Sequence, residues 1–113
     1  MTERGADVFP IAEVLAQREA TGRPAHEFFR RDSMSLLVYH LAAGQPDLQQ
    51  PHTEDEIYYV LKGHGSFETD GETRPVTEGD VIFVAKNVPH KFLDYPEGII
   101  LLVVFAPARG SDG

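Results

Sequence analysis

Three residues in the middle of the chain, His52, Glu56 and His90, have side chains that can bind a metal ion together. The first two lie four residues apart in the segment QPHTEDEIYYVLKG, residues 50–63, whose aromatic and β-branched run predicts a strand. Residues of equal parity share one face of a strand, so Gln50 is expected to point to the same side. Two imidazoles and one carboxylate leave coordination positions open for water, oxygen or substrate. Non-haem iron sites have this arrangement, and manganese, nickel, cobalt or zinc can use it.

His90 lies in a second segment, GDVIFVAKNVPHKFLD, residues 79–94. A turn leads into an apolar strand there, and a short connection then leads to Pro89 and His90. Closure of a barrel would place this histidine beside the first group. The alternative is a polar network in the core without an ion. Such a network is costly unless every group is fully paired, which favours the metal.

Other side chains near these segments are candidates for a substrate pocket. Tyr58 shares parity with the glutamate and Phe92 with the second histidine, so both are expected to line the interior. Simple core packing and contact with a substrate both fit them. His40 lies in an apolar strand, where it serves either the core or the pocket. Glu54 and Asp55 are expected to be solvated loop acids.

The pattern along the chain predicts one short helix followed by strands. Apolar residues at helical spacing indicate a helix from Pro10 to Glu19. The dipeptide Asp70-Gly71 is typical of a tight hairpin, and the apolar run from Ile99 to Ala106 predicts a strand covered on both faces. Short strands separated by frequent turns are typical of an all-β sandwich or barrel. Strands are expected at 27–31, 35–42, 56–61, 66–69, 72–76, 81–84, 91–95 and 99–106.

Length and composition narrow the classes of function. A chain of 113 residues suits a single domain. Acidic residues outnumber basic ones by 18 to 10, and the net charge of -8 opposes binding to nucleic acid. Because the chain has no cysteine, it offers no disulfide, no thiolate nucleophile and no cysteine-ligated zinc site.

The sequence also predicts a protein that does not associate with a membrane. The first ten residues lack a positive region followed by an apolar run, so no signal peptide is expected. The longest apolar stretch, residues 99–106, is shorter than the about 20 residues that a spanning helix needs. A cytoplasmic location is therefore expected.

The two metal-binding segments resemble the two conserved motifs of the cupin superfamily. The first motif has the form G-x5-H-x-H-x3-E-x6-G, and its positions are occupied here by Gly44, Gln50, His52, Glu56 and Gly63. The second has the form G-x5-P-x-G-x2-H-x3-N, and its positions are occupied by Gly79, Ala85, Asn87, His90 and Asp94. The resemblance implies an all-β cupin β-barrel or jelly roll with a short N-terminal helix, of the small cupin-2 type. It further implies one divalent ion, Fe, Mn, Ni, Co or Zn, held by His52, Glu56 and His90.

Departures from the motifs weaken the expected metal site. Gln50 stands where the family usually has its first metal-binding histidine, and an amide oxygen is a weaker donor than an imidazole. Either three side chains and water hold the ion, or Gln50 completes a fourth bond, and the affinity should be lower. Ala85 and Asn87 replace proline and glycine, although asparagine still tolerates a left-handed backbone. Asp94 replaces an asparagine that is not a ligand.

The expected organisation is an N-terminal arm with the helix at 1–26, the barrel at 27–107 and a disordered tail at 108–113. Exposed edge strands favour a closed two-fold pair, so we expect a homodimer.

The expected partner is a small molecule. The fold alone does not decide whether the protein converts this molecule or only binds it. One interpretation is a metalloenzyme acting on a small organic molecule, such as a dioxygenase-like oxidoreductase or an isomerase. A second is a non-catalytic small-molecule-binding or sensor module with the same pocket. A third is a structural or partner-binding protein, which predicts no pocket.

Overall fold

A computed structural model of the chain describes residues 5–49 and 51–110. Within these residues the chain is mostly β-strand with one N-terminal helix, so the all-β prediction is confirmed. The elements are α1 (Ile11–Thr21), β1 (Ala25–Arg31), β2 (Met34–Leu41), β3 (Asp55–Thr69), β4 (Glu72–Thr77), β5 (Val81–Val84), β6 (His90–Leu93) and β7 (Ile99–Ala106).

Helix α1 covers one part of the barrel's outer surface. It begins after Pro10 and ends at Gly22, whose positive φ of 70° reverses the chain. Val14 is its buried residue, and the helix packs against β1 and β2. No helix in the described part of the chain is long and apolar enough to cross a membrane.

The strands form two antiparallel sheets that share the long strand β3. The first half of β3 pairs with β7 and β5, and β7 continues the sheet to β2 and β1. The second half of β3 pairs with β4 and β6. Because β3 turns from one sheet into the other, Glu56 near its start lies close to His90 of β6, although the two residues are far apart in sequence.

Gly63 lies where β3 passes from one sheet to the other. The sequence predicted that the strand would end here, but it continues to Thr69. The prediction was wrong because glycine adopts a φ of 91° that turns the strand without ending it. A Cβ atom at this position would also clash with the carbonyl oxygen of Gly98, so the close approach requires glycine.

Alternate residues of the central strands build the core between the sheets. On β7 the odd-numbered residues are buried, whereas Ile100, Leu102 and Val104 are only partly covered and Ala106 is exposed. The expectation that both faces of this strand are covered is therefore wrong for its outer face. The largest fully buried side chains of this core are Tyr58, Phe92, Ile99, Leu101, Val60 and Val103.

Residues 108–110 pack on the barrel, although a disordered tail was expected from 108 onward. Ala108 is buried, and the backbone N–H of Arg109 donates to Ser35 Oγ at 2.9 Å. The N–H of Gly110 donates to the carboxylate of Glu54 at 2.9 Å. Glu54 was predicted to be solvated, but it is buried, because its carboxylate accepts this hydrogen bond from Gly110. Residues 111–113 lie outside the described residues.

Candidate metal centre

The structure brings His52, Glu56 and His90 together in the barrel. His52 precedes β3, Glu56 is the second residue of β3, and His90 is the first residue of β6. One potential ligand atom from each side chain lies within 4.8 Å of the others. The convergence of two distant segments, predicted from the sequence, is confirmed.

Hydrogen bonds between the two segments fix their relative position. The backbone N–H of Asn87 donates to the carbonyl oxygen of His52 at 2.6 Å, and the N–H of Lys86 donates to the Asp55 carboxylate at 3.0 Å. Asn87 has a φ of 65°, so the left-handed turn expected at this asparagine is confirmed. The connection that leads to His90 is thus tied to the residue that carries the other imidazole.

Glu56 is the strongest sign that the centre holds a cation. Its side chain is 2 % exposed, and neither carboxylate oxygen receives a hydrogen bond of good geometry among the described residues, although His90 and Tyr58 lie beside it. His90 Nε2 lies 3.1 Å from one of these oxygens, outside hydrogen-bond geometry. A buried carboxylate without donors is strongly destabilising, whereas a divalent ion would satisfy it. The residues present therefore fit a metal ion.

The two imidazoles are oriented for this role. His90 Nδ1 donates to the Val88 carbonyl oxygen at 2.9 Å, which directs Nε2 into the centre. Burial lowers the pKa of His90, but the Glu56 carboxylate and the Val88 carbonyl raise it, and the net shift is upward. Burial lowers the pKa of His52, which favours the neutral imidazole that a metal needs. The ring of His52 packs edge-on against Phe105, with centroids 4.9 Å apart.

A network behind the centre was missed by sequence analysis. The Tyr58 hydroxyl lies 2.9 Å from His90 Nε2 and donates to Gln49 Oε1 at 2.8 Å. Gln49 Nε2 in turn donates to the Asp47 carboxylate at 2.8 Å, which also accepts from the backbone N–H of Phe92. Asp47 and Gln49 lie in an irregular loop with no periodic pattern, so nothing in the sequence linked them to the site.

A cavity of about 350 Å³ opens beside the centre and includes His52 and Glu56 in its wall. It is partly open to solvent, which counts against a purely structural protein without a pocket. Its size is at the lower end of small-molecule sites. Its apolar wall is formed by Ala25, Leu37, Leu48, Val103 and Phe105. Its further polar residues are Tyr39, Gln49 and Arg109.

The three residues predicted for the substrate pocket do not line this cavity. Tyr58 and Phe92 are almost fully buried in the core, where their rings pack edge-on 5.0 Å apart. The prediction that His40 contributes to the pocket is corrected as well. Leu37 and Tyr39 of β2 face the cavity, whereas His40 lies on the opposite face of the strand, near helix α1. Gln50, predicted as a ligand or neighbouring donor, lies outside the described residues.

Comparison with known proteins gives the same family as the two sequence motifs. The family model for the Cupin domain matches residues 37–105. An uncharacterized protein of Streptomyces coelicolor is 38 % identical over 99 residues, which cover 88 % of this chain and 94 % of that protein. The pectin degradation protein KdgF of Dickeya dadantii is 30 % identical over 81 residues, covering 71 % and 74 %. Acireductone dioxygenase of Bacillus cereus is 27 % identical over 106 residues, covering 88 % and 60 %.

A solved structure supports the fold. The double-stranded β-helix domain protein of Klebsiella pneumoniae superposes with a TM-score of 0.75 over 90 % of both chains, at 21 % identity. The family model spans more than half of the chain, and its range includes the three residues of the metal centre. The protein therefore belongs to the cupin family.

Proposed function

We propose that the protein binds one divalent transition-metal ion through His52, Glu56 and His90 and uses it to act on a small organic molecule in the adjoining cavity. The buried Glu56 carboxylate without a donor, between two imidazoles, carries this proposal. Similarity to acireductone dioxygenase favours a dioxygenase-type reaction among those that such a centre supports.

The ion, when bound, supplies a Lewis acid and open positions for oxygen or substrate. Around it, the Val88 carbonyl holds the imidazole of His90 in the orientation that directs Nε2 into the centre. Gln49, fixed between Asp47 and Tyr58, presents a rigid polar edge to the cavity. The apolar side chains of the wall exclude water from the rest of the bound molecule.

Oxygen consumption tests the proposed activity. Protein reconstituted with Fe²⁺ should consume oxygen with one class among diketones, phenols and thiols. Glu56→Gln should reduce this rate at least about 100-fold, because the ion loses its charged ligand. Glu68→Gln, which removes a surface carboxylate of β3, should leave the rate unchanged.

The alternative is a non-catalytic binding or sensor module with the same centre. If the reconstituted protein consumes no oxygen with any class, the dioxygenase reaction is contradicted. A change that azide causes in the visible spectrum of the Co²⁺-loaded protein would then still support the open coordination position that a binding module uses. A spectrum that azide leaves unchanged would contradict the open position itself.

We also propose that the chain forms a homodimer through an outward apolar patch on β3 and β5. The patch consists of Ile57, Tyr59, Val81 and Phe83, which are 40–66 % exposed. Ile57 pairs in register with Phe83, and Tyr59 with Val81, so the four side chains are contiguous. They expose roughly 400 Å² of mostly apolar surface, about half of what one partner buries in a standard interface. A second copy related by a two-fold axis would cover the patch with its own equivalent.

Phe83→Glu should convert the dimer to a monomer, because a buried charge at the centre of an apolar interface lacks a partner. Sedimentation velocity of the wild type should give about 25 kDa, twice the chain mass of 12.6 kDa. Val8→Glu, at an exposed apolar residue outside the patch, should remain dimeric. A wild type that sediments as a monomer, or a Phe83→Glu variant that stays dimeric, would contradict this interface.

A further inference from the structure

Arg109 brings a positive charge to the cavity beside the metal centre. Its guanidinium lies over the ring of Phe105, 5.7 Å from the ring centroid, and the residue forms part of the cavity wall. No other lysine or arginine contributes to this wall among the described residues. Arg109 is exposed, so its N–H groups remain available to a ligand while the guanidinium contacts the aromatic ring.

The backbone around Arg109 is anchored on both sides. Its own N–H donates to the buried Ser35, and its carbonyl oxygen accepts from Arg30 Nη2 at 2.8 Å. The preceding Ala108 is buried, and the following Gly110 donates to the Glu54 carboxylate. These contacts hold in place a segment that the sequence alone predicted to be disordered. The guanidinium is therefore carried on a fixed backbone.

The charge of Arg109 acts on a neighbouring polar group of the cavity, because it opposes the increase that burial and Asp47 cause in the pKa of Tyr39. No carboxylate of the described residues forms an ion pair with the guanidinium. With a divalent ion bound, one carboxylate and one guanidinium leave the cavity with an excess of positive charge.

We propose that the cavity binds a small organic acid, with its carboxylate on Arg109 and a second donor group directed to the metal. The inference rests on the proposed metal function and adds the substrate class. A planar carboxylate matches the two parallel N–H groups of a guanidinium, and the cavity of about 350 Å³ suits a small molecule. The leucine, valine and phenylalanine side chains between these ends would contact the carbon skeleton of the acid.

A matched pair of hydroxamates tests the proposal. Succinic monohydroxamate and butyrohydroxamate both chelate a metal, but only the first carries a distal carboxylate. Calorimetric titration of the Zn²⁺-loaded wild type should show about 10- to 100-fold tighter binding of the carboxylated compound, the value of one charge-assisted bidentate pair. Arg109→Gln should reduce this preference to less than about threefold. Arg74→Gln, which removes an exposed arginine of β4, should preserve it.

The outcomes separate the substrate class from the metal function. Equal binding of the two hydroxamates by the wild type, or an unchanged preference in Arg109→Gln, overturns the inference while leaving the metal centre intact. If the protein binds no Zn²⁺, the proposed function fails. The carboxylate site is then tested in the metal-free protein, where millimolar succinate should shift the Arg109 Nε resonance. Absence of that shift overturns the inference as well.

Discussion

Glu56→Gln should weaken Zn²⁺ binding at least about 100-fold, equivalent to about 2.7 kcal/mol. The substitution keeps the size of the side chain but removes the negative charge that the ion would neutralise. In the wild type both carboxylate oxygens are buried without donors, so they are free to bind the ion. The amide offers a single neutral oxygen and an NH2 group that would face the cation.

Competition with a chromophoric chelator at pH 7.5 measures this loss directly. Glu54→Gln is the matched control, because it changes another buried glutamate only two residues away whose carboxylate accepts from Gly110. The control should bind Zn²⁺ with wild-type affinity. Equal affinities for Glu56→Gln and the wild type would show that this carboxylate is not a ligand.

Zn²⁺ should raise the melting temperature of the wild type by about 10 °C when its free concentration is 100 times the dissociation constant. At that ratio the bound ion stabilises the folded state by about 2.7 kcal/mol, if the unfolded chain does not bind it. For a chain of 113 residues each kcal/mol corresponds to about 4 °C. The physical origin is local, since the ion satisfies a carboxylate that the metal-free fold buries without donors.

Differential scanning calorimetry with and without EDTA checks this effect. EDTA should return the melting temperature of the wild type to the metal-free value. Glu56→Gln should shift by less than about 2 °C under the same conditions, because its affinity is lower. His64→Ala, which removes an exposed histidine of β3, should shift as much as the wild type. A shift of equal size in Glu56→Gln would place the stabilising ion elsewhere.

The metal centre could be predicted from the sequence because its information is local. His52 and Glu56 are separated by a short fixed interval, and alternation along the strand places Glu56 and Tyr58 on the buried face. The turn at Asn87 could be predicted from the conformations that asparagine tolerates. The resemblance to the cupin motifs then indicated that His90 would join the first two residues.

The walls of the cavity could not be predicted, because they depend on contacts between distant segments. Arg109 reaches the site because the backbone N–H groups of residues 109 and 110 donate to Ser35 and Glu54, which lie more than 50 residues away in sequence. The face of His40 could not be assigned from the sequence, because neither face of the apolar strand β2 is marked by polar residues. Gln49 and Asp47 lie in an irregular loop whose path is determined by the barrel.

An anomalous difference map from crystals grown with Zn²⁺, recorded at the zinc edge, tests the metal centre most directly. We expect one strong peak, roughly 2.0–2.2 Å from an imidazole nitrogen of His52, a carboxylate oxygen of Glu56 and Nε2 of His90. A map without a peak between these side chains, while all three keep their positions, would contradict the assignment of a metal to this barrel.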